Sequence, residues 1–151
     1  MDQKTKIVEK SKNERQEPSS SSAARDEIVN AARDIFGRFG FRKSTMDEIA
    51  QAARKGKSSL YHYFKSKEEV FQAVVEKEGN ILEQQMKQAL EKEKAPQDRL
   101  RIYVIKRMEI INRVANFYSA FQDEYLEQYA FIQKLRKKYD TWELTTIKGI
   151  L

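Results

Sequence analysis

The sequence predicts an all-α chain: a small N-terminal three-helix unit followed by a second helical domain. Three observations carry that expectation. Only five glycines and two prolines punctuate 151 residues, apolar residues recur at helical rather than alternating spacing, and helix caps stand where the pattern starts and stops. Hydrophobic residues make up 40% and charged residues 34%, the balance of a helix-rich domain with enough apolar surface for a core. There is no cysteine, which excludes disulfides and thiolate metal sites and agrees with a cytoplasmic setting. No apolar run approaches the roughly 18 residues that would suggest a membrane span.

Residues 1–23 combine mixed charge, Pro18 and a serine run, so a disordered leader is expected there. The first helix is expected from about Ala24 to Phe39. Ile28, Ala31, Ala32, Ile35, Phe36 and Phe39 form its buried stripe, and Gly40 ends it. Thr45 and Glu48 then make a capping box, and Met46, Ile49, Ala50 and Ala53 line one face of a second helix. The run Arg54-Lys55-Gly56 breaks the pattern, with Gly56 expected to supply the positive φ of the turn.

The third helix, from about Lys57 to Phe64, is the informative one. Leu60 and Phe64 point to the core. Ser58, Ser59 and His62 point away, flanked by Lys57 and Tyr61 on one edge and Tyr63 on the other. A helix that needed only to be soluble would carry Glu and Lys outward. Small residues, hydroxyls, rings and cations instead suit close approach to base edges and phosphates. Charge agrees with this. Residues 1–67 hold 15 basic and 9 acidic side chains, whereas residues 68–151 hold 14 of each, so the whole excess lies beside the three-helix unit.

Leu60-Tyr61-His62-Tyr63-Phe64-Lys65-Ser66-Lys67-Glu68-Glu69, preceded by the capped helix and by A-A-R-D-I-F-G-R-F-G-F-R, resembles the tetracycline-repressor (TetR) family of transcriptional regulators over roughly residues 24–78. The family usually has Ala-Gly-Val where this chain has Ala53-Arg54-Lys55, with its glycine displaced to Gly56. The resemblance implies a helix-turn-helix DNA-binding domain over 24–70, with the motif at about 45–64, and a helical regulatory domain over 71–151. It also implies a homodimer on a palindromic double-stranded DNA operator and a small-molecule effector. Lys57, Ser58, Ser59, Tyr61, His62 and Tyr63 would face the groove and its walls. Thr45, Arg54, Lys55 and Lys67 would contact phosphates around the Gly56 turn. Lys67 also stands at a helix N-terminus, since Ser66 and Glu69 form a second capping box.

A long fourth helix is expected to reach about Glu93, with Gly79 a weak point inside it and Ala95-Pro96 its end. Leu100, Val104, Met108, Ile111 and Ala115 then share one face of a fifth helix. An aromatic-rich segment follows, and a basic helix carrying Trp142 closes the chain. Tyr103, Met108, Phe117, Tyr118, Phe121 and Tyr125 are the candidate pocket residues. As residues they fill a core more often than they line a cavity, and the resemblance raises the cavity reading. Family members commonly continue beyond this length, so the second domain is expected to be C-terminally shortened. No cofactor or metal is expected. One histidine, no cysteine and no nucleophile elbow, HExxH or phosphate loop argue against an enzyme. A helical protein-interaction module that keeps the scaffold without operator binding is the other reading.

Overall fold

A computed structural model describes residues 20–113, 115 and 129–151. Among these residues the chain forms six helices and no strand: α1 (Ser20–Lys43), α2 (Met46–Ala52), α3 (Lys57–Tyr63), α4 (Lys67–Glu91), α5 (Pro96–Arg113) and α6 (Ala130–Ile150). Residues 1–19, the bulk of the expected leader, lie outside the described residues.

The N-terminal core forms where α1, α2, α3 and the first half of α4 cross. Ile28, Val29, Ala32, Phe36, Ile49, Leu60, Val70, Phe71 and Val74 are buried in one cluster. At its centre three rings meet. Phe71 packs edge-on to Phe36 at 5.4 Å and to Phe41 at 5.0 Å, and Phe36 lies 5.8 Å from Phe41. The cluster extends to Ile132 and Leu135 of α6. Thus α4 belongs to two packing units at once, and a division at residue 70 falls inside a continuous helix.

Two expectations about α1 change. The helix breaks at Gly40 (φ 76, ψ 171), a conformation reserved for glycine, and the chain re-enters helix through Lys43. Beyond that break Phe41 fills the core position, and Phe39, expected in the buried stripe, is 53% exposed. Phe39 keeps the helical spacing of the stripe, but the turn at Gly40 brings Phe41 into the core instead.

Gly79 in α4 has a packing reason. A Cβ there would land on the hydroxyl of Tyr139 from α6, 2.9 Å from its Cζ. Burial, then nearby Glu83, Glu76 and Glu78, pushes that phenol up to about 12. Alanine normally gains about 1 kcal/mol over glycine inside a helix. At this position Gly79→Ala is expected to lower the urea midpoint instead, because α6 must back away from α4. In the background of Tyr139→Ala the same change should become stabilising.

Helix α5 turns a different side to the core from the stripe of Leu100, Val104 and Met108. Leu100, Val104 and Met108 are exposed, as is Ile105, while Tyr103 is buried and Ile102 and Ile110 pack against Met86, Leu90 and Ile150. This orientation is set from α6: the Tyr103 hydroxyl donates to Glu143 at 2.5 Å, and Arg107 pairs with the same carboxylate. The phenol is raised well above its ordinary range by burial and by that bond. No helix of the described residues is long and apolar enough to cross a membrane.

Candidate nucleic-acid interface

Helix α3 has seven residues and cannot be stable alone, so its orientation is imposed by what it packs on. Leu60 is fully buried and Phe64 nearly so, with the Arg25 guanidinium 4.9 Å from the Phe64 ring centroid. These two anchors turn Lys57, Ser58, Tyr61 and His62 to solvent, with Ser59 half-buried. Tyr61 is 43% exposed. Tyr63 differs from the other candidates, because it is half-buried against the core with the His62 ring 5.3 Å away, edge to face. The outward face is therefore Lys57, Ser58, Tyr61 and His62, with Ser59 and Tyr63 at its margins.

The turn before α3 is built differently from the expectation. Gly56 does not take the positive φ; at φ −67, ψ 154 it is the N-cap of α3. Arg54 takes it, at φ 55. Around it the Arg54 N–H donates to the Gln51 carbonyl at 3.1 Å and the Lys55 N–H to the Ala50 carbonyl at 2.9 Å. This pair of bonds is a Schellman closure with Arg54 as its left-handed residue. An arginine thus stands in a conformation that costs an L-residue about 1–2 kcal/mol. Arg54→Gly is expected to raise stability by about 1 kcal/mol, read from urea unfolding, while removing an exposed cation from this face.

The flanking charges are arranged by pairing. Thr45 caps α2 as expected: its Oγ1 accepts from the Glu48 N–H at 3.2 Å, and its own N–H donates to Glu48 Oε2 at 2.8 Å. Lys55 pairs with Glu27 at 2.7 Å and Lys57 with Asp47 at 3.2 Å. Those acids, distant in sequence from the lysines they meet, hold both ammonium groups at the rim; exposed pairs of this kind exchange readily for other anions. Ser66 caps α4 by accepting from the Glu69 N–H at 3.2 Å, but the return bond goes to the Lys65 N–H at 2.8 Å, so the second box closes one residue earlier than expected.

Lys67 departs furthest from its expected place. Its Nζ donates to the carbonyls of Phe41 at 2.8 Å, Ser44 at 2.9 Å and Arg42 at 3.4 Å, and sits 4.3 Å from the Phe41 ring centroid. Desolvation lowers its pKa from the ordinary lysine value. The ammonium is spent on the carbonyl-rich end of α1, where a cation is favoured, rather than directed outward as the sequence suggested. A second tie went unseen in the sequence: Arg33 Nε donates to Glu78 Oε1 at 2.6 Å, joining α1 to α4 across 45 residues, and that bond raises the arginine pKa. No local spacing announces such a pair.

The second domain has a cavity of about 560 Å³ between α4, the start of α5 and α6. Asn80, Glu83, Gln84, Met86, Lys87, Leu90 and Glu91 form its α4 wall, with Arg99, Trp142 and Thr146 opposite. Of the expected pocket residues, the two that are described, Tyr103 and Met108, do not line it. Tyr103 is buried on Glu143, Met108 is exposed, and Phe117, Tyr118, Phe121 and Tyr125 lie outside the described residues. Helical spacing on α4 could have found the wall, because Asn80, Glu83, Gln84, Lys87 and Glu91 share one face. Among the described residues no cluster of His, Asp or Glu could hold a metal ion.

A capped support helix, a Schellman turn and a short helix anchored by two residues define a helix-turn-helix protein. Residues 28–74 match the sequence pattern of the bacterial regulatory proteins of the tetR family. The chain is 43% identical over 47 residues to the HTH-type transcriptional regulator YhgD of Bacillus subtilis, covering 31% of this chain and 25% of that protein. It is 29% identical over 126 residues to the HTH-type transcriptional repressor KstR2 of Mycolicibacterium smegmatis, covering 80% and 62%. The chain therefore spans between a quarter and about three-fifths of these relatives. The crystal structure of the regulator FadR from Bacillus subtilis in complex with stearoyl-CoA shares the fold, with a TM-score of 0.64 at 21% identity over 83% of this chain and 68% of that one.

Proposed function

We propose that this chain is a ligand-responsive transcriptional regulator, acting in the cytoplasm as a homodimeric repressor on a palindromic operator. The observation that carries this reading is the orientation of α3. Leu60 and Phe64 are buried while Lys57, Ser58, Tyr61 and His62 face solvent beside Arg54, Lys55 and the Thr45 cap. The exposed set reads base edges, and the rim cations meet phosphates. KstR2 is named a repressor and the FadR structure holds stearoyl-CoA, which supports repression and a small-molecule effector for a chain of this fold. The effector acts by changing the separation of two recognition helices that must span about one helical turn of DNA. The alternative of a helical interaction module without operator binding loses one of its two grounds, the altered turn, once Arg54 closes that turn.

Gel-shift titration against duplexes selected from a random pool tests the proposal. Tight, salt-sensitive binding is expected, with the Lys57→Ala, Tyr61→Ala double variant weaker by at least about tenfold. Equal affinity of that variant would remove α3 from the interface.

A further inference from the structure

The cavity walls are electrostatically uneven. At one end Glu83 already has a counter-ion, Lys138, with Nζ 3.5 Å from Oε1. At the other, Arg99 has no carboxylate within ion-pair distance among the described residues. Its Nη1 donates to the Gly149 carbonyl at 3.3 Å, and its Nε–H is buried with no acceptor. Glu83 Oε1 also lacks a hydrogen bond, but it faces the Lys138 charge. With Lys138 set against Glu83, two cations, Lys87 and Arg99, face one remaining acid, Glu91; Lys87 and Glu91 are both exposed, and Arg99 is the half-buried charge of the three. Between the ends, buried Met86 and Leu90 and the half-buried Trp142 give an apolar floor. Arg99 Nε is closed to solvent, so a ligand in the cavity would meet the terminal amines of the guanidinium, for which a carboxylate is the strongest and best-shaped partner. A volume of about 560 Å³ is within the range of small-molecule sites.

We propose that this cavity is an effector site for a small amphipathic carboxylic acid, its carboxylate on the Arg99 guanidinium and its apolar body along Met86, Leu90 and Trp142. This rests on the reading of the second domain as effector-binding. It deepens that reading by naming the ligand class and the residue that selects it. Binding is non-covalent, and Lys87 adds long-range attraction for the same head group.

Trp142 is the only tryptophan of the chain, so its emission reports this cavity alone. Decanoate, decanol and decylamine, which share one body and differ in the head group, are titrated against the full chain. Decanoate is expected to change Trp142 emission saturably, with decylamine weaker by at least about tenfold and decanol between them. Arg99→Met should weaken decanoate about tenfold and abolish its preference over decanol, while Arg99→Lys keeps a cation and most of the preference. Equal binding of all three probes, no saturable change with any, or unchanged decanoate affinity in Arg99→Met would overturn the proposal. If Arg99→Met does not fold, the head-group series on the unaltered chain decides. Emission is read without DNA. Silence beside intact duplex binding refutes the site alone, and saturation without duplex binding refutes the regulator reading alone.

Discussion

Phe71→Ala is expected to cost about 3–5 kcal/mol, the largest loss of any single truncation in the N-terminal unit. Phe71 is fully buried and supplies the ring on which both Phe36 and Phe41 stand edge-on or tilted. Its removal leaves a cavity that neither neighbour can fill, because Phe41 is held by the Gly40 break and Phe36 by the regular part of α1. Domains of this size hold about 5–15 kcal/mol in total, so such a loss would populate unfolded chains near physiological temperature. Urea unfolding followed by circular dichroism would show the midpoint fall. Duplex binding should disappear with it, since α3 has no helical stability of its own.

Lys67→Met is the second large effect, and its diagnostic value lies in how DNA binding changes. The substitution keeps an apolar stem but takes the charged donor from the Ser44 carbonyl and from that of Phe41, which keeps the Ser44 N–H. A cost of about 1.5–3 kcal/mol in stability follows from hydrogen bonds to a charged group. Affinity for a duplex should fall because the end of α1 and the start of α4 no longer hold α2 and α3 in register. The salt dependence should not change. A lysine that touched a phosphate would lower the slope of log affinity against log salt by about 0.9 when removed. A slope preserved within error assigns Lys67 to positioning; a slope reduced by that amount returns it to the interface.

The parts of this molecule legible in the sequence are those decided within a few residues. The Thr45–Glu48 box, the Pro96 start of α5 and the inward pair Leu60 and Phe64 follow from spacings of three or four and from proline geometry. What was illegible depends on where a distant segment lies. A glycine after a helix can be the left-handed residue of the exit or the cap of the next helix, and only closure of the turn made Gly56 the cap and Arg54 the exit. Lys67 finds carbonyls 23 to 26 residues earlier, and Tyr103 finds Glu143 40 residues later. Periodicity identified an apolar stripe on α5 without identifying its partner, and Leu100, Val104 and Met108 of that stripe are exposed. The solvent-facing set of α3, Lys57, Ser58, Tyr61 and His62, was legible for a simpler reason. It was defined as whatever Leu60 and Phe64 leave outside, and those two side chains have no polar atom that could favour water.

The central claim is that the outward face of α3 meets the duplex. Backbone and side-chain NMR shifts of the full chain, titrated with a selected duplex, test it most directly. The account predicts the largest perturbations at Lys57, Ser58, Tyr61 and His62, with smaller ones at Thr45, Arg54 and Lys55 and little change at the cavity residues Trp142 and Arg99. Perturbations centred on the exposed apolar face of α5, with the His62 and Tyr61 ring signals unmoved, would contradict it.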